Sequence, residues 1–138
     1  MTTVVATGTF EILHPGHMLF LKEAKKLGDK LFVIISTDRN ATREKGRILI
    51  PQEQRLEMVK ALKFVDNAVI GDEKDMFRPI VKIKPDIIAL GRDQRFRENE
   101  LEAELKKRGI DARVVRIKKF LNGGLNSSSR IVERIKGK

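Results

Sequence analysis

Apolar residues recur along this chain in two alternating rhythms. Five short runs are apolar nearly throughout: "TTVVATG" (2–8), "KLFVIIS" (30–36), "NAVIG" (67–71), "DIIALG" (86–91) and "DARVVRI" (111–117). Runs of this length and β-rich composition predict buried strands. Between them the apolar positions take helical spacing. "HMLFLKEAKKLG" (17–28) closes on Gly28, "PQEQRLEMVKALKF" is opened by Pro51, and 75–84 is a weaker helix with Pro79 near its first turn. Residues 98–109 close on Gly109, and 127–137 form a last helix. Pro near a helix start and Gly at its end are the expected punctuation. The stretch "TDRNATREKGR" (37–47) is polar and basic, without apolar rhythm.

Strands apolar on both faces and separated by helices predict a parallel sheet covered on both sides. The expected fold is therefore α/β, a Rossmann-like doubly wound parallel sheet of about five strands. No linker or repeat divides the chain, so 1–138 reads as a single domain. Ligands of such sheets bind outside the carboxyl ends of the strands. That rule selects four segments: Gly8 to His17, Ser36 to Arg47, Gly91 to Arg97 and Lys118 to Ser129.

Composition narrows the function classes. With 41% hydrophobic and 35% charged residues the chain reads as globular and not disordered. No apolar run approaches the roughly 18 residues of a membrane span, and no secretory pattern follows Met1, so a cytoplasmic protein without membrane contact is the expectation. The absence of cysteine excludes disulfides, thiolate metal sites and a thiol nucleophile. The net charge of +10 is concentrated late: residues 106–138 hold 11 Lys and Arg against 2 Asp and Glu. Nucleic acid is not the expected partner, because the chain has no Tyr or Trp to build an aromatic platform and no recognition-helix motif. The basic segment is read instead as attracting an anionic small molecule.

Both histidines of the chain lie in "TGTFEILHPGH". Gly16 permits close approach of backbone to a ligand, and the free N–H groups of a helix start favour an anion. Two imidazoles beside those donors can each give an N–H to phosphate oxygens or, if protonated, meet developing negative charge. No P-loop or GxGxxG pattern is present. No carboxylate stands at the spacing of a zinc site, so no protein metal ligands are expected.

"GTFEILHPGH" resembles the HxGH signature of the nucleotidylyltransferase superfamily, cytidylyltransferase-like, whose pattern is close to GTFDxxHxGHxxxL. His14, Gly16 and His17 match it, and Glu11 stands where Asp is usual. "STD" (36–38), "QEQRLEMVKALKFVDNAVIG", "GRDQ" (91–94) and "NSSSRIV" (126–132) match further family segments in order. The resemblance implies transfer of a nucleoside monophosphate from a triphosphate to an acceptor phosphate, with release of pyrophosphate and no covalent enzyme intermediate.

Carried over by position, the resemblance makes His14, His17 and Lys45 the catalytic group. It makes Thr9, Phe10, Pro15, Gly16, Asp93, Ser127 and Ser128 nucleotide-binding, together with the two histidines. Arg55 and Arg92 are expected to contact phosphate or substrate. Mg2+, or another divalent cation, is expected to enter with the triphosphate.

"LGRDQRFRENELEAELKKRG" followed by "ARVVRI" resembles the archaeal FAD synthase branch, which implies FMN adenylyltransferase activity with ATP and FMN as substrates. The second reading is a cytidylyltransferase acting on glycerol 3-phosphate or a sugar phosphate. Against it, Gln94 replaces the tryptophan of GDDW and Asn122 stands where an arginine is usual. A third reading, of another class, is a non-catalytic nucleotide or nucleic-acid binding module. A homodimer is expected by analogy alone.

Overall fold

The computed structural model describes residues 1–92, 94–119 and 127–137, with Ser128 described by its backbone only. Five strands, β1 (Thr3–Gly8), β2 (Lys30–Ile35), β3 (Asn67–Ile70), β4 (Ile87–Leu90) and β5 (Arg113–Arg116), form one parallel sheet in the order β3-β2-β1-β4-β5. Six helices connect and follow them: α1 (Pro15–Lys25), α2 (Asp38–Lys45), α3 (Gln52–Lys60), α4 (Arg78–Ile83), α5 (Glu98–Lys107) and α6 (Ser128–Lys136).

The alternation of side chains along each strand sends every second residue to the opposite face. Val4, Ala6, Leu31, Val33, Ile35, Ile87 and Ala89 pack on one side with Leu21 and Ala24 of α1 and Val59 of α3. Val5, Ile34, Ile88, Leu90 and Val114 pack on the other with Ile80 of α4 and Leu101 and Leu105 of α5. Both faces are thus dry, which is why the strands read as unbroken apolar runs. The chain leaves β1 toward β2 and leaves β4 toward β5, so a crevice opens between the carboxyl ends of β1 and β4.

The opposite edge of the sheet is closed by aspartates that immediately precede strands. Asp29 accepts from the Thr2 N–H at 2.6 Å, Asp86 from the Thr3 N–H at 2.8 Å, and Asp66 from the Leu31 N–H at 2.7 Å. Each carboxylate satisfies a backbone donor that the ladder leaves open at a strand start.

One segment departs from the expectation. Residues 38–45, within the stretch without apolar rhythm, form α2. Only Ala41 of this helix is buried, so no hydrophobic stripe announces it. Its ends are specified instead. Thr37 Oγ1 accepts from the Asn40 N–H at 3.1 Å, Asp38 occupies the first turn, Arg43 and Lys45 the last, and Gly46 stops it at φ 85°. Among the described residues, no helix is long and apolar enough to cross a membrane.

Candidate active site

A cavity of about 1160 Å³ lies over the carboxyl ends of the strands. Segments after β1, β2, β3, β4 and β5 all contribute to its wall, as does the start of α6. Its size exceeds the upper end of the range for a single drug-sized ligand, so it has room for two substrates together.

The loop after β1 is shaped by Gly8 and Phe10. Phe10 holds φ 50°, a left-handed conformation that a bulky residue rarely adopts, and its ring lies over Gly8. A Cβ at Gly8 would stand 2.7 Å from that ring, so only glycine admits it. The buried ring in turn meets His17 edge-on at 5.1 Å between centroids. His17 stacks on His14, with centroids 3.7 Å apart and planes 25° from parallel.

His14 is the N-cap of α1, and its Nδ1 accepts from the Gly16 N–H at 3.1 Å. A nitrogen that accepts is unprotonated, so the neutral ring carries its proton on Nε2. Burial holds the His14 pKa below the usual histidine value, and the charge of Lys45 lowers it further. Burial likewise pushes His17 down to about 3, with His14 and Lys45 adding to the effect. Both imidazoles are therefore neutral at neutral pH in the free protein, and they present N–H donors, not charges.

Charge comes from the surrounding wall, which among the described residues carries seven Lys or Arg against four Asp or Glu. Lys45 belongs to this set, brought there by the last turn of α2. Only Lys119 and Arg130 of the seven lie in the basic C-terminal segment. The positive wall is thus assembled from segments that follow several strands, the basic segment among them. Lys119 is also ion-paired to Glu23 at 3.0 Å.

Thr9, Phe10, His14, Gly16, His17, Lys45, Arg92 and Ser127 all line the cavity. Ser127 caps α6, its Oγ accepting from the Arg130 N–H at 3.2 Å. Pro15 is exposed at the first position of α1 and is not on the wall; its ring presets the helical φ. Asp93 and the Ser128 side chain fall outside the described residues.

Arg55 requires a correction. It was expected to contact phosphate or substrate, yet it is 1% exposed and is not on the cavity wall. Its guanidinium donates to the Ile50 carbonyl at 2.9 Å, to the Thr9 carbonyl at 2.9 Å and to Asp38 at 2.8 Å. It is a strut beneath the first loop, tying that loop to α2 and to the approach to α3. Glu11 acts similarly, accepting the N–H groups of Leu49 and Ile50. Sequence reasoning also missed Gln94, whose Nε2 donates to Thr7 Oγ1 at 3.1 Å, so that it bridges the crevice between β1 and β4. The available signal was an amide where the GDDW pattern has tryptophan.

The arrangement suits an anionic ligand. Comparison with known proteins identifies the family. The sequence profile of the cytidylyltransferase-like family matches residues 5–134. The FAD synthase of Archaeoglobus profundus is 57% identical over 98% of this chain and 86% of its own length. The FAD synthase of Methanosarcina mazei is 58% identical over 98% of this chain and 89% of its own length. Among solved structures, the lipopolysaccharide core biosynthesis protein of Thermoplasma volcanium superposes with a TM-score of 0.84 at 47% identity, covering 88% of this chain and 99% of that one.

Proposed function

Because the chain belongs to the cytidylyltransferase-like family and is more than half identical to FAD synthases over nearly its whole length, we propose that it is an FMN adenylyltransferase. It transfers AMP from ATP to FMN, forming FAD and pyrophosphate. An FMN phosphate oxygen attacks the α-phosphorus of ATP, the bond from that phosphorus to the bridging oxygen of the β-phosphate breaks, and pyrophosphate leaves with the electron pair. No protein nucleophile is involved, so the protein's contribution is positioning and stabilisation of charge.

The observation that carries the reading at the level of residues is the stacked, neutral histidine pair at the start of α1, inside a cavity with a cationic wall. On this reading the pair donates N–H groups to the α-phosphate oxygens, where negative charge grows in the transition state, and Lys45 supplies the adjacent positive charge. Thr9, Phe10 and Gly16 bring backbone close to the nucleotide. Ser127 and Ser128, at the start of α6, receive the β- and γ-phosphates. By position, Arg92 contacts phosphate or substrate and Asp93, the next residue in the sequence, takes the nucleoside end of ATP. Arg55 acts through the first loop as a positioning residue.

Among the described residues no three His, Asp or Glu side chains converge, and Glu11 Oε2 accepts from two backbone N–H groups. This suits Mg2+ carried in by the triphosphate oxygens and not held in a protein cage. When bound, the cation offsets phosphate charge.

The test is a pyrophosphate-release screen with product analysis, crossing ATP and CTP with FMN and glycerol 3-phosphate. FAD formed from ATP and FMN is the expected result. Activity with CTP and glycerol 3-phosphate, and none with FMN, overturns the proposal in favour of a cytidylyltransferase. Absence of pyrophosphate release from every pair would favour a non-catalytic binding module.

A further inference from the structure

The described residues between β4 and α5, 91, 92 and 94–97, have no regular structure, yet their carbonyls are gathered by one side chain from the neighbouring strand. Arg116, the last residue of β5, donates from Nη1 to the carbonyls of Gly91 at 3.0 Å, Arg92 at 3.3 Å and Gln94 at 2.8 Å. Its Nη2 reaches the Phe96 carbonyl, and Nε and Nη2 both meet Glu98 Oε1, at 3.2 and 2.9 Å. The side chain is 17% exposed and is absent from the cavity wall. Gln94 holds the same loop from the β1 side, accepting from the Gly91 N–H at 2.5 Å while donating to Thr7. The loop's side chains do reach the cavity: Arg92, Gln94, Arg95 and Phe96 all line it.

An irregular segment of this length ordinarily keeps its carbonyls hydrated and samples many conformations, and ordering it costs conformational entropy at every residue. A guanidinium carries its donors in a rigid planar fork that a lysine ammonium cannot imitate. The mechanism assigned above does not use Arg116. The geometry points to Arg116 as a positioning residue for nucleotide recognition: it fixes the loop after β4 in its binding shape before ATP arrives, so that the nucleoside meets a preformed wall. This rests on the reading that the loop takes the nucleoside end of ATP. Binding then proceeds without the ordering penalty that an untethered loop would impose.

The experiment compares the full-length parent with Arg116→Ala and Arg116→Lys. It measures KM for ATP, KM for FMN, kcat, melting temperature and direct ATP binding without FMN. Arg116→Ala is expected to weaken ATP binding and raise its KM about tenfold or more, with KM for FMN changing less than about twofold. Arg116→Lys keeps the charge but loses the fork, so it is expected to recover less than half of that loss on a logarithmic scale. Millimolar guanidinium is expected to restore part of the ATP affinity of Arg116→Ala.

Parallel increases in both KM values, tracking a fall in melting temperature, would overturn the inference in favour of a merely structural residue. Full recovery by lysine would overturn it in favour of simple charge. If Arg116→Ala does not fold, the ATP and FMN constants of Arg116→Lys decide by the same split. A parent that binds ATP but forms no FAD refutes the proposed activity, while the ATP-binding comparison still tests Arg116.

Discussion

Replacing Arg55 by methionine separates a strut from a substrate contact. The methionine fills much of the stem volume but leaves the buried carbonyl of Thr9 and the half-buried carbonyl of Ile50 without their donor. Each orphaned carbonyl costs about 1–2 kcal/mol. The pair with Asp38 adds only about 0.5 kcal/mol, because that carboxylate is 41% exposed and its interaction is screened by solvent. The total is about 3 kcal/mol. At roughly 4 °C per kcal/mol for a chain of this size, the melting temperature should fall by about 12 °C, a change read by calorimetry or near-ultraviolet circular dichroism.

Activity should fall as well, measured far below the melting transition. Thr9 adjoins Phe10, whose ring supports His17, so release of the Thr9 carbonyl loosens the imidazole pair, and kcat/KM is expected to drop about tenfold or more. Arg55→Lys should lie between the parent and the methionine variant in both measurements. A melting temperature within about 2 °C of the parent, together with a selective rise in KM for one substrate, would refute the reasoning and return Arg55 to the substrate.

Three other outcomes follow from the geometry. His14→Asn keeps an acceptor for the Gly16 N–H but removes the Nε2 donor, so it should lower kcat by about a hundredfold or more with little change in melting temperature. Equal loss of stability would assign His14 to packing. Gly8→Ala forces the Phe10 ring away from its seat at 2.7 Å and should reduce turnover through His17, which parallel kinetics on a Phe10→Leu background would check. Folding stability should fall as the pH drops from 6.5. The unfolded histidines take up protons there, while folded His17, held down to about 3, does not. Between pH 6.5 and 5.5, above the ordinary carboxylate range, His17 contributes a loss of about 1 kcal/mol. Chemical denaturation at stepped pH should show a flatter slope in His17→Gln, and an unchanged slope would count against the buried neutral ring.

The sheet was legible because its strands are dry on both faces, and the carboxyl-end rule then led to the histidine loop without any coordinates. α2 was not legible from periodicity, since Ala41 is its only buried residue and its information lies in Thr37 and Gly46. Arg55 was given a substrate contact because its role was carried over by position from the resemblance, and the depth of its guanidinium is a tertiary fact. Arg116 carried a faint signal, a charge at the end of an apolar strand, but nothing in "RVVRI" says that it gathers carbonyls from an earlier loop.

The aspartates that precede β2, β3 and β4 give the sheet two unlike rims. At one rim, Asp29, Asp66 and Asp86 close strand starts, remote from the chemistry. At the other, the segments that follow the strands, with parts of α1, α2 and α6, line the cavity. Mutation can therefore explore the two rims separately. Exchanges among the loops can alter which molecules are joined while the strands stay in register, and exchanges at the aspartates can adjust heat tolerance while the chemistry stays in place.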